Sequence, residues 1–223
     1  MCYKVSNKAD KSKLEEEFDA VLEESQDESW EPQNELSGFA HPLLSVFTQT
    51  ETRKLELMRW GLIPHWASNN EQAAELAKQT LNARAETMFE KPSFRDSAAL
   101  RRCVIPVTGF YEWQTRGKTK ISYFITPAAG SFFLLGGLYS SWANRETGEI
   151  SNTFSIVTVA ANPLMAEIHN TKQRMPLILP PESVNLWTNQ QLAQSEVMQL
   201  ARPFAETSMK AENQDNSAQQ FLF

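Results

Sequence analysis

The chain has 223 residues, of which 41% are hydrophobic, and this length is enough for one domain with a sizeable core. Its formal net charge of −6 argues against a strongly basic nucleic-acid-binding surface overall, although a local basic groove remains compatible with it. No apolar run approaches the roughly 20 residues of a membrane span, and Cys2 and Cys103 have the spacing of neither a disulfide framework nor a zinc site. Polar residues stand where a signal peptide needs apolar ones, so we expect a cytoplasmic protein. We further expect a monomer that holds no metal or other cofactor and contacts no membrane.

The first two residues, Met1 and Cys2, combine two nucleophiles in a way that no internal cysteine does. Removal of Met1 would leave an amine and a thiol on one residue, with ordinary pKa values near ~8 and ~8.5. An aldehyde would form an imine with the amine, and the sulfur would close this imine into a five-membered thiazolidine. A small residue at position 2 is common, so this chemistry needs support from residues further along the chain.

The first third of the chain predicts one helix, one loop and one strand. Apolar residues at helical spacing in 11–24 predict an amphipathic surface helix, and the polar residues 25–39 predict a loop. Residues 43–47, which follow Pro42, form a short apolar run, and residues 55–63 predict a strand. The second of these leads into Trp60 and Trp66, which either pack in the core or form a stacking platform.

Residues 70–79 have the composition of a helix, and an alternating polar segment follows them. Asn82, Arg84 and Glu86 stand at every second position, so in an extended segment their side chains point to the same side. They either converge on one ligand or serve to cap a helix and form salt bridges.

The second half of the chain is rich in predicted strands. Residues 102–107, 109–113, 121–126, 132–142 and 154–161 predict strands, and glycines at 117, 130 and 148 lie in or near the turns between them. This pattern predicts an antiparallel sheet that curls or closes. Helices at 181–204 would cover the sheet, and the polar residues 205–223 predict a mobile tail after a domain of residues 1–204.

Two residues in this half are candidates for acid–base chemistry. Glu112 lies between Tyr111 and Trp113, and aromatic surroundings should raise the pKa of its carboxyl group by desolvation. The alternative is that Glu112 points outward from its strand. His169 ends a short helix that Asn162 and the proline after it begin; it is either an acid or base, or a structural partner of the helix end.

Taken together, these segments resemble one known family. They are Met1-Cys2, Asn82-Ala83-Arg84-Ala85-Glu86, Arg101-Arg102-Cys103-Val104-Ile105-Pro106, Gly109-Phe110-Tyr111-Glu112-Trp113, and His169 followed by Arg174-Met175-Pro176. In this order they resemble the SRAP family of SOS-response-associated, abasic-site-processing proteins, over residues 2 to about 188. The resemblance implies a compact α+β domain around a curled, barrel-like antiparallel sheet with flanking helices. It also implies a covalent crosslink to abasic sites in single-stranded DNA, with associated lyase activity.

The resemblance also assigns roles to individual residues. Cys2 forms the crosslink after loss of Met1, Asn82 orients the terminal amine or the sugar ring, and Glu112 and His169 assist proton transfers. Lys4 and Arg84 resemble contacts to the DNA backbone, and Pro42 and Trp66 resemble apolar surfaces along the DNA path. This chain departs from the family in reading Cys2-Tyr3-Lys4 where Cys-Gly-Arg is common, and in a longer spacing between His169 and Arg174.

Two other functions compete with this interpretation. A cysteine peptidase would use Cys2 as the nucleophile and His169 as the base, if only to remove Met1. A non-covalent nucleic-acid-binding module would use Asn82, Arg84 and Glu112 only to hold its structure.

Overall fold

The structure is a computed structural model that describes residues 2–23, 30–48 and 54–217, with side chains described to residue 215. Its strands are β1 Lys4–Asn7, β2 Val21–Glu23, β3 Gln33–Ser37, β4 Leu43–Thr48, β5 Lys54–Trp60, β6 Asn82–Arg84, β7 Arg102–Val107, β8 Gly109–Arg116, β9 Thr119–Pro127, β10 Phe133–Ala143, β11 Ile150–Ala160, β12 Arg174–Pro176, β13 Ile178–Leu179 and β14 Met209–Asn213. Its helices are α1 Lys11–Phe18, α2 Asn70–Gln79, α3 Arg95–Leu100, α4 Pro163–Ile168, α5 Val184–Thr188, α6 Gln194–Leu200 and α7 Gln214–Ser217.

The larger of two sheets closes into a barrel. Strands β11, β10, β7, β4 and β5 pair in that order, and β5 pairs in turn with β11. Only the closing pair, β5 with β11, is parallel within this ring; the other four pairs are antiparallel. The prediction of a curled, barrel-like antiparallel core in an α+β fold is confirmed.

The strands of the barrel come close together where β10 carries a glycine in place of a side chain. A Cβ atom at Gly137 would lie 2.3 Å from Ile105 Cδ1 and 3.1 Å from Cys103 Sγ, both on the neighbouring strand β7. A side chain at position 137 would therefore collide with Ile105, and glycine leaves the space that this close packing needs.

The smaller sheet carries the start of the chain. Its strand order is β14, β9, β8, β1 and β3, and every neighbouring pair is antiparallel. A single cluster of buried apolar side chains, including Val5 from the small sheet and Val104 from the barrel, joins the two sheets. The two sheets therefore share one core.

The predicted helix at 11–24 is shorter than expected. It ends at Phe18 because Asp19 adopts a left-handed conformation, with φ of 46°. The chain then forms β2, which pairs with β5, and leaves the side chain of Val21 66% exposed. The predicted loop at 25–39 also contains β3, while residues 24–29 lie outside the described part of the chain.

The predicted tail from residue 205 also differs from the structure. Residues 209–213 form β14 on the edge of the small sheet, with Met209 opposite Pro127 and Asn213 opposite Tyr123. Met209 is buried in the shared core, which explains why a mainly polar segment is held in place. Residues 218–223 lie outside the described residues.

The helices agree more closely with the sequence. Helix α2 has the predicted bounds, and α4 begins where Asn162 accepts a hydrogen bond from the backbone N–H of Met165 at 2.8 Å. None of the helices in the described ranges has the length and apolar composition needed to cross a membrane.

Candidate active site

The start of the chain is held between two strands of the small sheet. Lys4 pairs with Tyr111 on β8 and with Ser37 on β3, so the antiparallel register carries residues 2 and 3 past Glu112. The side chain of Cys2 is fully buried, and its backbone oxygen accepts a hydrogen bond from Asn82 Nδ2 at 2.9 Å. Cys2, Asn82 and Glu112, which are far apart in the sequence, therefore meet at this point.

Asn82 reaches Cys2 from the larger sheet. Its strand, β6, lies parallel to β11, with Asn82 opposite Ile156. The other polar atom of the amide, Oδ1, is buried without a hydrogen-bond partner among the described residues. A buried amide oxygen of this kind favours an incoming donor such as an amine.

Glu112 has the environment of a proton donor. Only 3% of its surface is exposed, and burial raises the pKa of its carboxyl group to about 7. Its carboxyl group therefore carries a proton about half of the time at neutral pH. The predicted burial of this group is confirmed, and the alternative that it points outward is wrong.

His169 lies next to this acid in a defined tautomer. Its Nδ1 lies 2.8 Å from the carbonyl oxygen of Arg174 and 3.9 Å from Glu112 Oε1. A carbonyl oxygen only accepts hydrogen bonds, so Nδ1 carries the proton and Nε2 of the neutral ring is an acceptor. Burial lowers the pKa of His169, so the neutral form dominates at neutral pH. The residue is both the end of α4 and a neighbour of Glu112.

The thiol of Cys2 is protonated in these surroundings. Burial, and after it the charge of Glu112, raises the pKa of this thiol well above its ordinary value. A thiol of this kind is a weak nucleophile at neutral pH. A protonated Cys2 thiol and a neutral His169 also differ from the thiolate and imidazolium pair of a cysteine peptidase.

A cavity of about 240 Å³ opens beside the acid and the imidazole. It is lined by Tyr3, Glu112, Trp113, Thr115, Lys120, His169, Thr171 and Lys172. Of these eight residues, only Glu112 and His169 have a functional role predicted from the sequence. Tyr3 and Trp113 carried a signal, because they directly follow Cys2 and Glu112; the lysines and threonines are ordinary polar residues in the sequence.

The four residues predicted to contact DNA lie elsewhere. Lys4 forms a salt bridge of 2.7 Å with Glu35, and Arg84 is exposed. Trp66 is 36% exposed, and the backbone oxygen of Pro42 accepts a hydrogen bond from the Trp60 amide at 2.9 Å. None of the four belongs to the described residues that line the cavity.

No group of three or more metal-binding side chains occurs within residues 2–23, 30–48 and 54–217.

Comparison with known proteins decides the family. Residues 1–217 match the family model described as "SOS response associated peptidase (SRAP)". This chain belongs to the SRAP family. It is 34% identical over 206 residues to the abasic site processing protein YoqW of Bacillus subtilis (strain 168), which covers 87% of both proteins.

More distant relatives and solved structures agree with this assignment. The SRAP chain is 33% identical over 172 residues to the abasic site processing protein HMCES of Gallus gallus, which covers 68% of this chain and 50% of that protein. It also resembles the crystal structure of a protein from Bacteroides thetaiotaomicron, with a TM-score of 0.89 and 36% identity, over 95% of this chain and 91% of that one.

One further residue of this SRAP chain organises the site. Arg174 donates two hydrogen bonds to the carboxylate of Glu86, at 2.6 and 2.9 Å, and one to the carbonyl oxygen of Thr158 at 2.6 Å. These contacts hold Arg174 in place, and with it the Arg174 carbonyl oxygen that accepts the hydrogen bond from His169 Nδ1. Of the three alternating residues at 82–86, Asn82 therefore reaches Cys2, whereas Glu86 forms a salt bridge.

The two tryptophans near the predicted turn have different roles. Trp60 is fully buried and donates a hydrogen bond from Nε1 to the carbonyl oxygen of Leu81 at 2.8 Å. Trp66 remains partly exposed and donates to the carbonyl oxygen of Pro92 at 3.3 Å. Core packing is therefore confirmed for Trp60, and Trp66 remains available as a surface for stacking.

Proposed function

We propose that this chain processes abasic sites in single-stranded DNA by linking itself covalently to them through Cys2, once Met1 has been removed. The observation that carries the proposal is the meeting of Cys2, Asn82 and a buried Glu112 with a pKa of about 7. The names of the relatives, abasic site processing proteins, point to the same substrate.

The raised pKa of the Cys2 thiol indicates that the amine reacts first. The new α-amine of Cys2 attacks the C1′ aldehyde of the ring-opened sugar and forms a carbinolamine. Glu112 gives a proton to the departing hydroxyl group, so one water leaves and an iminium forms; its nitrogen then returns a proton to Glu112 and becomes an imine. The Cys2 S–H then adds across the C=N bond, with sulfur bonded to carbon and the proton on nitrogen, and closes the thiazolidine.

Two neighbours position and assist these steps. The buried Oδ1 of Asn82 accepts a hydrogen bond from the new amine and directs its lone pair toward the sugar. Neutral His169 takes the proton of the C1′ hydroxyl group and gives it to the ring oxygen O4′, so the C1′–O4′ bond breaks, C1′ becomes the aldehyde and O4′ becomes a hydroxyl group. The imine also acidifies the C2′ protons, so β-elimination of the 3′ phosphate gives the chain a lyase activity.

The DNA path runs over the surface outside the cavity. Lys4 and Arg84 contact backbone phosphates, while Pro42 and Trp66 offer apolar surfaces to the nucleotides at the lesion. Single strands are the substrate because an abasic nucleotide has no base to pair, and an unpaired backbone bends readily around the chain terminus. We propose that the protein acts in this way as a cytoplasmic monomer.

The test uses protein whose mass shows the loss of one methionine. Incubation with a single-stranded oligonucleotide that carries one abasic site should give a band shift that survives denaturation. Cys2→Ala keeps the amine but lacks the sulfur, so cyanoborohydride should trap its imine while the stable shift without reductant disappears. An intact oligonucleotide of the same sequence is the control.

Two results would support the competing functions. Cleavage of a peptide panel without DNA, together with no covalent band, would indicate a peptidase. Binding that is equal for abasic and intact strands and unchanged in Cys2→Ala, again without a covalent band, would indicate a non-covalent module.

A further inference from the structure

The cavity beside Glu112 has one wall that the proposed chemistry does not use. This wall combines the end of the β8–β9 hairpin with the turn at residues 170–173. Thr115 and Lys120 stand opposite each other on the hairpin, and Thr171 and Lys172 face the same cavity from the turn. Two lysines that are far apart in the chain therefore line the cavity that contains the catalytic acid.

The turn is fixed in place by side-chain and backbone hydrogen bonds. Asn170 donates from Nδ2 to the carbonyl oxygen of Thr115 at 2.8 Å and accepts from the Thr115 amide at 3.1 Å. The amide of Gln173, which has a left-handed φ of 48°, donates to the carbonyl oxygen of His169 at 2.8 Å. These hydrogen bonds fix the turn against β8 and against His169, so this wall of the cavity has a defined structure.

The charge of this wall is not balanced by the protein. Neither Lys120 nor Lys172 forms an ion pair with another described residue. Among the described residues that line the cavity, Glu112 is the one acidic side chain, and its raised pKa of about 7 leaves it uncharged about half of the time at neutral pH. A cavity with two ammonium groups, two hydroxyl groups and little negative charge favours an anion.

We propose that Lys120 and Lys172, with the hydroxyl groups of Thr115 and Thr171, form a subsite for one of the two phosphates that flank the abasic sugar. This inference rests on the proposed function, because a sugar within reach of Cys2 and Glu112 brings one flanking phosphate into the same cavity. The subsite holds the sugar against the acid, so Lys120 and Lys172 are positioning residues. Sequence reasoning assigned the phosphate contacts to Lys4 and Arg84, which lie outside the cavity.

The variants are Lys120→Gln, Lys172→Gln and the double variant. Lys118→Gln is the matched control, since Lys118 is exposed on the same hairpin and does not line the cavity. The double variant should crosslink an abasic strand about tenfold to hundredfold more slowly at subsaturating DNA, as expected for lost charge-assisted hydrogen bonds. Its salt dependence should also be shallower by about 0.7 in the slope of log K against log salt, as for one phosphate on a single strand.

Methylphosphonate substitution identifies the phosphate. A neutral linkage on either the 5′ or the 3′ side of the lesion should slow the wild type by the same factor as the double variant, and should have no further effect in that variant. Equal slowing of both proteins by both linkages would overturn the subsite, as would a loss in Lys118→Gln as large as in the double variant.

A second readout separates the subsite from the covalent chemistry. Binding of the same oligonucleotides is measured by fluorescence anisotropy in the Cys2→Ala background, where no stable thiazolidine forms. If the wild type never gives a covalent band, the proposed function fails. The subsite is then still decided by the anisotropy measurements, which compare binding of the unmodified and methylphosphonate oligonucleotides with and without the two lysine substitutions. If the wild type crosslinks, but the effect of each methylphosphonate is the same with and without the two lysines, the subsite alone fails.

Discussion

Glu112 illustrates at the residue scale how the surroundings of a carboxyl group change what it does. On a solvent-exposed strand it would be an anion at neutral pH, but here burial raises its pKa to about 7. The same burial lowers the pKa of His169 and raises the pKa of Cys2. Burial therefore shifts all three groups toward their uncharged forms.

The first prediction concerns the rate of crosslinking. Glu112→Gln keeps the shape of the side chain but removes the proton donor, so single-turnover crosslinking should slow by about 10²-fold or more. In the wild type the contribution of Glu112 should be lost as the pH rises through about 7, because the acid ionises. Rates are measured from pH 5.5 to 8.5. Equal rates and equal pH profiles in both proteins would remove Glu112 from the mechanism.

The second prediction concerns the pH dependence of stability, which for Glu112 has the opposite sign to that of a carboxylate whose pKa is lowered by folding. The pKa of Glu112 is raised from 4.5 in the unfolded chain to about 7, so the unfolded state loses its proton first as the pH rises. Stability therefore falls between about pH 4.5 and pH 7 and stays lower above that. Glu112→Gln has no group that ionises here, so its stability does not fall in this pH range. The difference in the free energy of unfolding between this variant and the wild type should therefore rise by about 2 kcal/mol from pH 5 to pH 8. Urea unfolding at both pH values measures the difference; a constant difference would contradict the raised pKa.

The third prediction concerns Arg174, which positions the partner of His169. Arg174→Lys keeps the charge but loses the paired hydrogen bonds to Glu86, so the protein should lose about 1–3 kcal/mol of stability and crosslink more slowly. The control is Lys78→Ala, which removes an exposed pair of 3.4 Å with Glu75 and should change stability by about 0.5 kcal/mol or less. Equal effects of the two substitutions would show that the Arg174 pair has no special role.

At the scale of elements, β14 shows how one buried side chain holds a polar segment. Residues 209–213 extend the small sheet next to β9, and Met209 packs in the core. Asn162, which caps α4, donates to the carbonyl oxygen of Phe204 at 2.8 Å. The helix that ends at His169 is therefore linked to the segment that leads into β14.

The fourth prediction follows from this packing. Met209→Ala should lower the free energy of unfolding by about 2–3 kcal/mol, because it leaves a cavity where a buried side chain was. Lys210→Ala, at the exposed neighbouring position, should have an effect within about 0.5 kcal/mol. Thermal unfolding compares the two variants. If Met209→Ala costs no more than Lys210→Ala, residues 209–213 are a tail and not a strand.

The whole molecule is a barrel and a second sheet around a shared core. The closing contact between β5 and β11 places Phe154 opposite Trp60, and their rings stack with centroids 6.1 Å apart. Val5 and Phe110 of the small sheet belong to the same buried cluster as the barrel residues. Neither sheet can lose its packing without exposing apolar surface of the other.

The fifth prediction is that the protein unfolds in one cooperative transition. Tryptophan fluorescence, to which Trp60 of the barrel and Trp113 of the small sheet both contribute, and far-UV circular dichroism should give the same midpoint in urea. Two separated transitions would mean that the small sheet, with the start of the chain, unfolds independently of the barrel.

The sequence by itself determined the features that depend on neighbours in the chain. The aminothiol chemistry needs only residue 2, and the helix at 70–79 follows from the composition of those residues. The start of α4 follows from Asn162 and Pro163, and the alternation and turns of the second half predict a curled antiparallel sheet. These signals are local, so they can be interpreted without knowing which distant segments meet.

Only the tertiary structure decided which distant residues meet. Asn82 and Glu86 belong to one alternating pattern, yet the first reaches Cys2, 80 positions away, and the second pairs with Arg174, 88 positions away. The anion-favouring wall of the cavity likewise depends on the packing of a turn against a hairpin. Contacts of this kind follow from the closure of the barrel and the packing of the two sheets, which no short stretch of sequence encodes.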